Sequence, residues 1–253
     1  MTICKGNKRS SGPSEDETLD VLFHGKLKIF QGRSGYRFSL DAVLLAHFAK
    51  PHGNEKIIDL GTGNGIIPLM IVSLHSSVRV VGLELQEKMV GRALRSVALN
   101  RYGERVKIIQ GDVRSIKEFF SAQSFDAVLC NPPYRRRASG RMNPDPEKCA
   151  ARHEISGCLA DFIRAGAYLI KAGGRMALVY PATRMVDLLQ AMRQAGMEPK
   201  RLRLVHSFAG SGAALVLAEG IKGAGSELKL MPPLIVYTSA RQYSPEMKTI
   251  LGE

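Results

Sequence analysis

The sequence predicts an α/β fold: a seven-stranded mixed sheet, mostly parallel, with helices on both faces and a short N-terminal extension. Three observations predict it. From Lys56 onward, short apolar runs alternate with segments of helical period. The first of these runs ends in a glycine-rich turn, Gly61-Thr62-Gly63-Asn64-Gly65. The last two runs, 202–205 and 213–218, have no long helix between them, so an antiparallel pair closes the sheet.

Residues 1–19 are polar and rich in Gly, Ser and Lys, and are expected to form a disordered tail. Residues 20–31 alternate loosely around His24-Gly25, which suits a small hairpin. Ser39 can cap a helix over 40–49, with Asp41 in its first turn. Strand, helix, strand, helix then follow over 56–60, 66–74, 78–83 and 87–100, the second helix closed by Gly103. Two strands come next, over 106–110 and 125–130, then a long basic loop over 135–152. A helix over 159–171 stops at Ala172-Gly173-Gly174; a strand over 175–180 and a helix over 183–195 complete the alternation. Pro232 to Tyr237 can add an edge strand. With no repeat and no internal linker, residues 20–253 are one domain: extension 20–55, core 56–222 and edge segment 223–253.

The 253 residues, 45% hydrophobic and 23% charged, can bury a full core as one domain. No apolar stretch reaches membrane-spanning length, and no signal peptide is expected. Cys4, Cys130, Cys149 and Cys158 form no Cys-x-x-Cys pair, so a reduced, cytoplasmic protein is expected. Cys149, His153 and Cys158 fit no zinc finger or ribbon spacing, and no metal is expected. The net charge of +13 points to a polyanionic partner, of which nucleic acid is the commonest.

Asp59-Leu60-Gly61-Thr62-Gly63-Asn64-Gly65 joins a strand to a helix, and its glycines let the backbone approach a ligand. The dinucleotide pattern Gly-x-Gly-x-x-Gly would need its third glycine at Ile66, which argues against a nicotinamide oxidoreductase. A phosphate loop would need Gly-Lys-Ser/Thr, which is absent. Glu84 ends the next strand, where a carboxylate can accept both hydroxyls of a ribose. Asp112 ends the third and can meet an adenine amino group. Three strand ends outline an adenosine site with no Arg or Lys in the loop to favour pyrophosphate.

The fourth strand ends in Asn131-Pro132-Pro133-Tyr134. The prolines stop the ladder and stiffen a loop that holds an amide, a free carbonyl and an aromatic face together. The Asn131 side-chain oxygen and the Pro132 carbonyl can accept from the two N–H groups of an amine or amide, and Tyr134 can stack on a flat group. Arg135, Arg136 and Arg137 follow at once, with Arg141, Lys148 and Arg152 beyond and Lys200, Arg201 and Arg203 later. A charge run beside the reacting centre favours a phosphate-bearing substrate over a merely solvated face.

These motifs, in this order over residues 56–218, resemble the Rossmann-like S-adenosylmethionine-dependent methyltransferases. The resemblance implies that Asp59, Gly61, Gly63 and Gly65 embrace the methionine part of the cofactor, Glu84 the ribose and Asp112 the adenine, with Asn131 beside the methyl group. Gly35 to Leu45, Arg152-His153-Glu154 and Tyr243-Ser244-Pro245-Glu246-Met247 are similar to the bacterial tRNA1(Val) adenine-37 N6-methyltransferase family. That second resemblance implies tRNA as the substrate, and an N-terminal piece lining the methionine end with Asp41 near it. Three alternatives stand beside it: N-methylation of a glutamine amide in a release factor, methylation of a base in rRNA or DNA, and a non-catalytic RNA-binding module. The last would leave Asn131 and Glu84 without a purpose.

Overall fold

The computed structural model describes residues 12–23, 25–34, 39–133, 157–239 and 242–253. The N-terminal extension is a hairpin, β1 (Glu17–Leu22) and β2 (Leu27–Gly32), followed by helix α1 (Leu40–Ala49). The hairpin therefore starts inside the stretch read as a tail. Its first residue, Glu17, is buried, because Arg92 and Arg95 hold the carboxylate.

The core follows the expected alternation. Strand β3 (Lys56–Leu60) leads to helix α2 (Ile66–Leu74), β4 (Arg79–Glu84) to α3 (Glu87–Leu99), and β5 (Val106–Gln110) to a short helical stretch ending in α4 (Ile116–Phe119). Then come β6 (Phe125–Cys130), α5 (Leu159–Leu169), β7 (Ile170–Pro181), α6 (Met185–Gln194), β8 (Met197–Phe208) and β9 (Ala213–Lys222). Two-residue β10 (Lys229–Leu230), β11 (Leu234–Ser239), two-residue β12 (Gln242–Tyr243) and helix α7 (Pro245–Leu251) end the chain.

The expected seven strands are β3 to β9, and β10, β11 and β12 widen the sheet to ten. The order is β12-β11-β8-β9-β7-β6-β3-β4-β5, with β10 also on β8. Strands β5, β4, β3, β6 and β7 run parallel, and β9 is antiparallel to both β7 and β8. Strand β11 is the edge strand expected over 232–237, whereas β10 and β12 escape a pattern reading because each spans only two residues. Helix α7 escapes it too, although its sequence carries both caps. Ser244 Oγ accepts from the Met247 N–H at 3.1 Å, Pro245 opens the first turn, and Gly252 closes it at φ 77°.

Two apolar layers fill the faces. One holds α1, α2 and α7 against β3, β7, β9 and β11; the other holds α5 and α6 against β6, β7 and β9. Seven of the ten residues of α1 are buried, because sheet, α2 and α7 all cover it. Chain order reverses at β3, which has β4 on one side and β6 on the other. Open α/β sheets bind ligands at such a switch point, outside the carboxyl ends of the strands.

Candidate active site

Strand register decides which of the predicted residues meet. Leu60 of β3 pairs with Cys130 of β6, so Gly61 and Asn131 leave the sheet side by side. Leu60 also pairs with Leu83 of β4, which puts Gly61 beside Glu84. Glu84 pairs with Gln110 of β5, two residues before Asp112. Asp112, Glu84, the glycine loop and Asn131 thus stand in a row along one edge of the sheet. The Cys130 Sγ–Leu60 carbonyl contact of 3.4 Å ties the two central strand ends. Burial pushes the Cys130 thiol up, as does the nearby Asp59, so this cysteine is an inert core residue.

The glycine loop is folded back onto β4. The N–H groups of Gly61 and Thr62 both donate to the Leu83 carbonyl, at 2.9 and 3.0 Å, and Gly63 N–H donates to Glu84 Oε2 at 2.9 Å. Gly61, Gly63 and Gly65 sit at φ 74°, 59° and 85°, the left-handed region that side chains resist. Gly82 provides the floor: a Cβ there would lie 2.7 Å from Thr62 Cγ2.

Asp59 is fully buried, and neither carboxylate oxygen has a hydrogen-bond partner among the described residues. Burial raises its pKa to about 7; the neighbouring Thr62 hydroxyl pulls it back a little and the charge of Glu84 adds to the rise. Thr62 Oγ1 and Asn64 Oδ1, also buried, are likewise unpartnered among the described residues. A loop that buries four polar acceptor atoms without partners is built to be completed by a polar ligand. The ammonium of a methionine moiety, a donor of three hydrogen bonds, fits that need. Burial also raises the pKa of Glu84, against the N–H bonds of Gln86 and Gly63 that favour its charge. Each of its oxygens keeps a lone pair for a ribose hydroxyl.

Asp112 is more committed than its position suggests. It caps the turn after β5 through the Arg114 N–H at 2.8 Å, and the Arg114 guanidinium grips both oxygens. The arginine bonds and the N–H bond together outweigh partial burial and hold its pKa below the usual carboxylate range. Asp41 is half-buried in the first turn of α1, and Asn131 and Pro133 are half-buried beyond β6 with Pro132 buried between them. Tyr134, Arg135, Arg136, Arg137, Arg141 and Arg152 lie outside the described residues, as do Cys149, His153 and Glu154. Among the described residues there is no acidic, histidine or cysteine group that could hold a metal ion, and no helix long and apolar enough to cross a membrane.

One site residue escaped sequence reading. Gln31, at the end of β2 and 2% exposed, accepts from Asn64 Nδ2 at 3.4 Å. The signal was present as a polar residue in the core-facing row Leu27, Ile29, Gln31 of the hairpin.

The fold and the row of strand-end residues define a Rossmann-like enzyme that binds an adenosine-bearing ligand. The family described as "Methyltransferase domain" matches residues 51–206, more than half of the chain, and the protein belongs to it. It is a methyltransferase, with S-adenosylmethionine as methyl donor. The chain is 28% identical over 236 residues to the tRNA1(Val) (adenine(37)-N6)-methyltransferase of Porphyromonas gingivalis, covering 90% of this chain and 91% of the relative. It is 27% identical to the enzyme of the same name from Tolumonas auensis, over 89% and 92%. The fold is shared with a predicted O-methyltransferase from Agrobacterium tumefaciens, at a TM-score of 0.68, 21% identity and coverage of 83% and 94%.

Proposed function

We propose that the protein transfers the methyl group of S-adenosylmethionine to N6 of an adenine in tRNA. The observation that carries the reading is the Leu60–Cys130 pairing, which sets Asn131-Pro132-Pro133 directly beside the glycine loop. Bound there, the cofactor supplies an electrophilic methyl on a sulfonium. The chain's task is to aim an exocyclic amine at that methyl.

In this reading Asp59, Gly61, Gly63 and Gly65 hold the methionine end, with Asp41 near it, Glu84 holds the ribose, and Asp112 holds the adenine of the cofactor. The Asn131 side-chain oxygen and the Pro132 carbonyl accept from the two N–H groups of the target amine. That frees a lone pair otherwise delocalised into the ring. No strong base is required, and the rate gain comes from orientation and fixed dipoles. Tyr134 stacks on the flipped base, which offsets an unstacking cost of a few kcal/mol. Arg135, Arg136, Arg137, Arg141 and Arg152 take the phosphates of the RNA.

What supports tRNA over other amines is the name shared by relatives that match about nine-tenths of the chain, together with the +13 charge. A tRNA substrate also places the reaction in the cytoplasm.

The test supplies cofactor carrying a labelled methyl group to total tRNA, rRNA, DNA and release factor from cells lacking the protein. Label recovered as N6-methyladenosine from tRNA is expected. Label confined to a glutamine of the release factor, or to DNA, would refute the proposal.

A further inference from the structure

Gln31 occupies a position where the hairpin otherwise places apolar side chains. Leu27 and Ile29, four and two residues before it on the same face of β2, are fully buried in the core. An amide in such a row costs free energy unless its polar atoms are matched. They are matched in a directed chain. Asp20, as a carboxylate, can only accept, and it takes the Gln31 Nε2–H. The amide of Gln31 therefore turns its oxygen outward, and that oxygen receives the Asn64 Nδ2–H at 3.4 Å. Asn64, 1% exposed, is in turn fixed with Oδ1 as its open end, and that atom has no partner among the described residues. Reversing either amide would set oxygen against oxygen. Thr18 Oγ1 donates to the other oxygen of Asp20 at 3.0 Å, which steadies the start of the chain.

The hairpin that carries Gln31 is clipped to α3 at several points. The Phe30 N–H donates to Ser96 Oγ, Asn100 bonds both the N–H and the carbonyl of Lys28, and Arg92 lies against Gly32. These contacts hold Gln31 in a fixed place relative to the glycine loop.

We propose that Asp20, Gln31 and Asn64 form a relay that sets the polarity of the cofactor site, with Gln31 as a positioning residue. It holds the Asn64 carbonyl as an acceptor for the cofactor's ammonium group. The inference rests on the reading that the glycine loop holds the methionine end. S-adenosylhomocysteine and methylthioadenosine are both neutral thioethers, and only the former carries the amino-acid end.

Calorimetry with these two ligands on the full chain tests the relay. Gln31→Met removes the acceptor that faces Asn64 Nδ2 and should weaken S-adenosylhomocysteine by about ten-fold while leaving methylthioadenosine unchanged. The double variant Asp20→Asn with Gln31→Glu keeps an acceptor facing Asn64 with a donor behind it, and should bind S-adenosylhomocysteine nearly as the wild-type protein does. If Gln31→Met fails to fold, as judged by thermal melting, Gln31→Leu, which also removes the acceptor, is compared instead. Equal weakening of both ligands, or no weakening of either, overturns the relay. If the wild-type protein gains nothing from the amino-acid end, it is the underlying reading of the glycine loop that fails.

Discussion

Replacing Gly82 by alanine should damage the cofactor site from beneath. The glycine lies on β4 under the turn Gly61-Thr62-Gly63, and an added Cβ would stand 2.7 Å from Thr62 Cγ2 and 2.9 Å from both Thr62 Oγ1 and Ile108 Cδ1. Ordinary contact begins near 3.4 Å, so loop and strand must part by about 0.7 Å. The loop cannot yield freely, because Gly61 and Thr62 are both bonded to the Leu83 carbonyl and Gly63 to Glu84. Overpacking of this kind costs about 1–3 kcal/mol of stability. A shift approaching 1 Å at a binding loop lowers turnover by up to about a hundred-fold. Urea denaturation, single-turnover methyl transfer and calorimetry with S-adenosylmethionine measure stability, turnover and affinity. Gly91→Ala is the control, since nothing lies within 4 Å of its Cβ and it sits mid-helix in α3. That change should stabilise by about 0.5–1 kcal/mol. Wild-type stability and affinity in Gly82→Ala would show that the loop does not depend on the glycine floor.

Other outcomes follow from the same geometry. Asn131→Ala should lower kcat by about a hundred-fold or more while cofactor affinity stays near wild type, and unchanged single-turnover kinetics would remove Asn131 from the chemistry. The carboxyl of Asp59 has its folded pKa raised from 3.8 to about 7, so its contribution to stability is fully present below 3.8 and is lost as pH rises through about 7. An ammonium bound beside it favours the ionised form, so cofactor binding at pH 6 should release a proton. Calorimetry in two buffers of different ionisation enthalpy reads that proton, and it should vanish in Asp59→Asn. Glu17 behaves oppositely. Burial alone would raise its pKa, but hydrogen bonds from Arg95, Ser14 and Arg92 win and hold it at about 2 against 4.5. Its contribution is present above 4.5 and is lost as pH falls toward 2. Arg92→Met leaves Glu17 with half its clip and should cost about 3 kcal/mol, and a melting curve equal to wild type would argue against the hairpin being anchored there.

Much of the core could be read from the chain because its signals are local. An apolar run of five residues, a turn that needs glycine, and an amphipathic helix recur within a few dozen positions, and each announces its own boundaries. The tail boundary was less legible, because Glu17 looks like any solvated acid until Arg92 and Arg95, more than seventy residues away, close on it. The width of the sheet was hidden for a related reason. Strands β10 and β12 are two residues each and exist only because β8 and β11 offer unpaired edges. Asp112 was legible as a strand-end acid, while its engagement by Arg114 was not, since nothing in a sequence shows which arginine turns back.

What the sequence by itself determined is which residues end the strands: Asp59 and its glycines, Glu84, Asp112 and Asn131-Pro132-Pro133. Each of these residues lies within a turn of a strand end, where backbone conformation is set by its neighbours. Only the tertiary structure decided which strand ends stand side by side, that Gly82 floors the loop, and that Gln31 reaches Asn64 across thirty-three positions. Those depend on register and packing between distant segments, which burial rewards and local pattern does not encode.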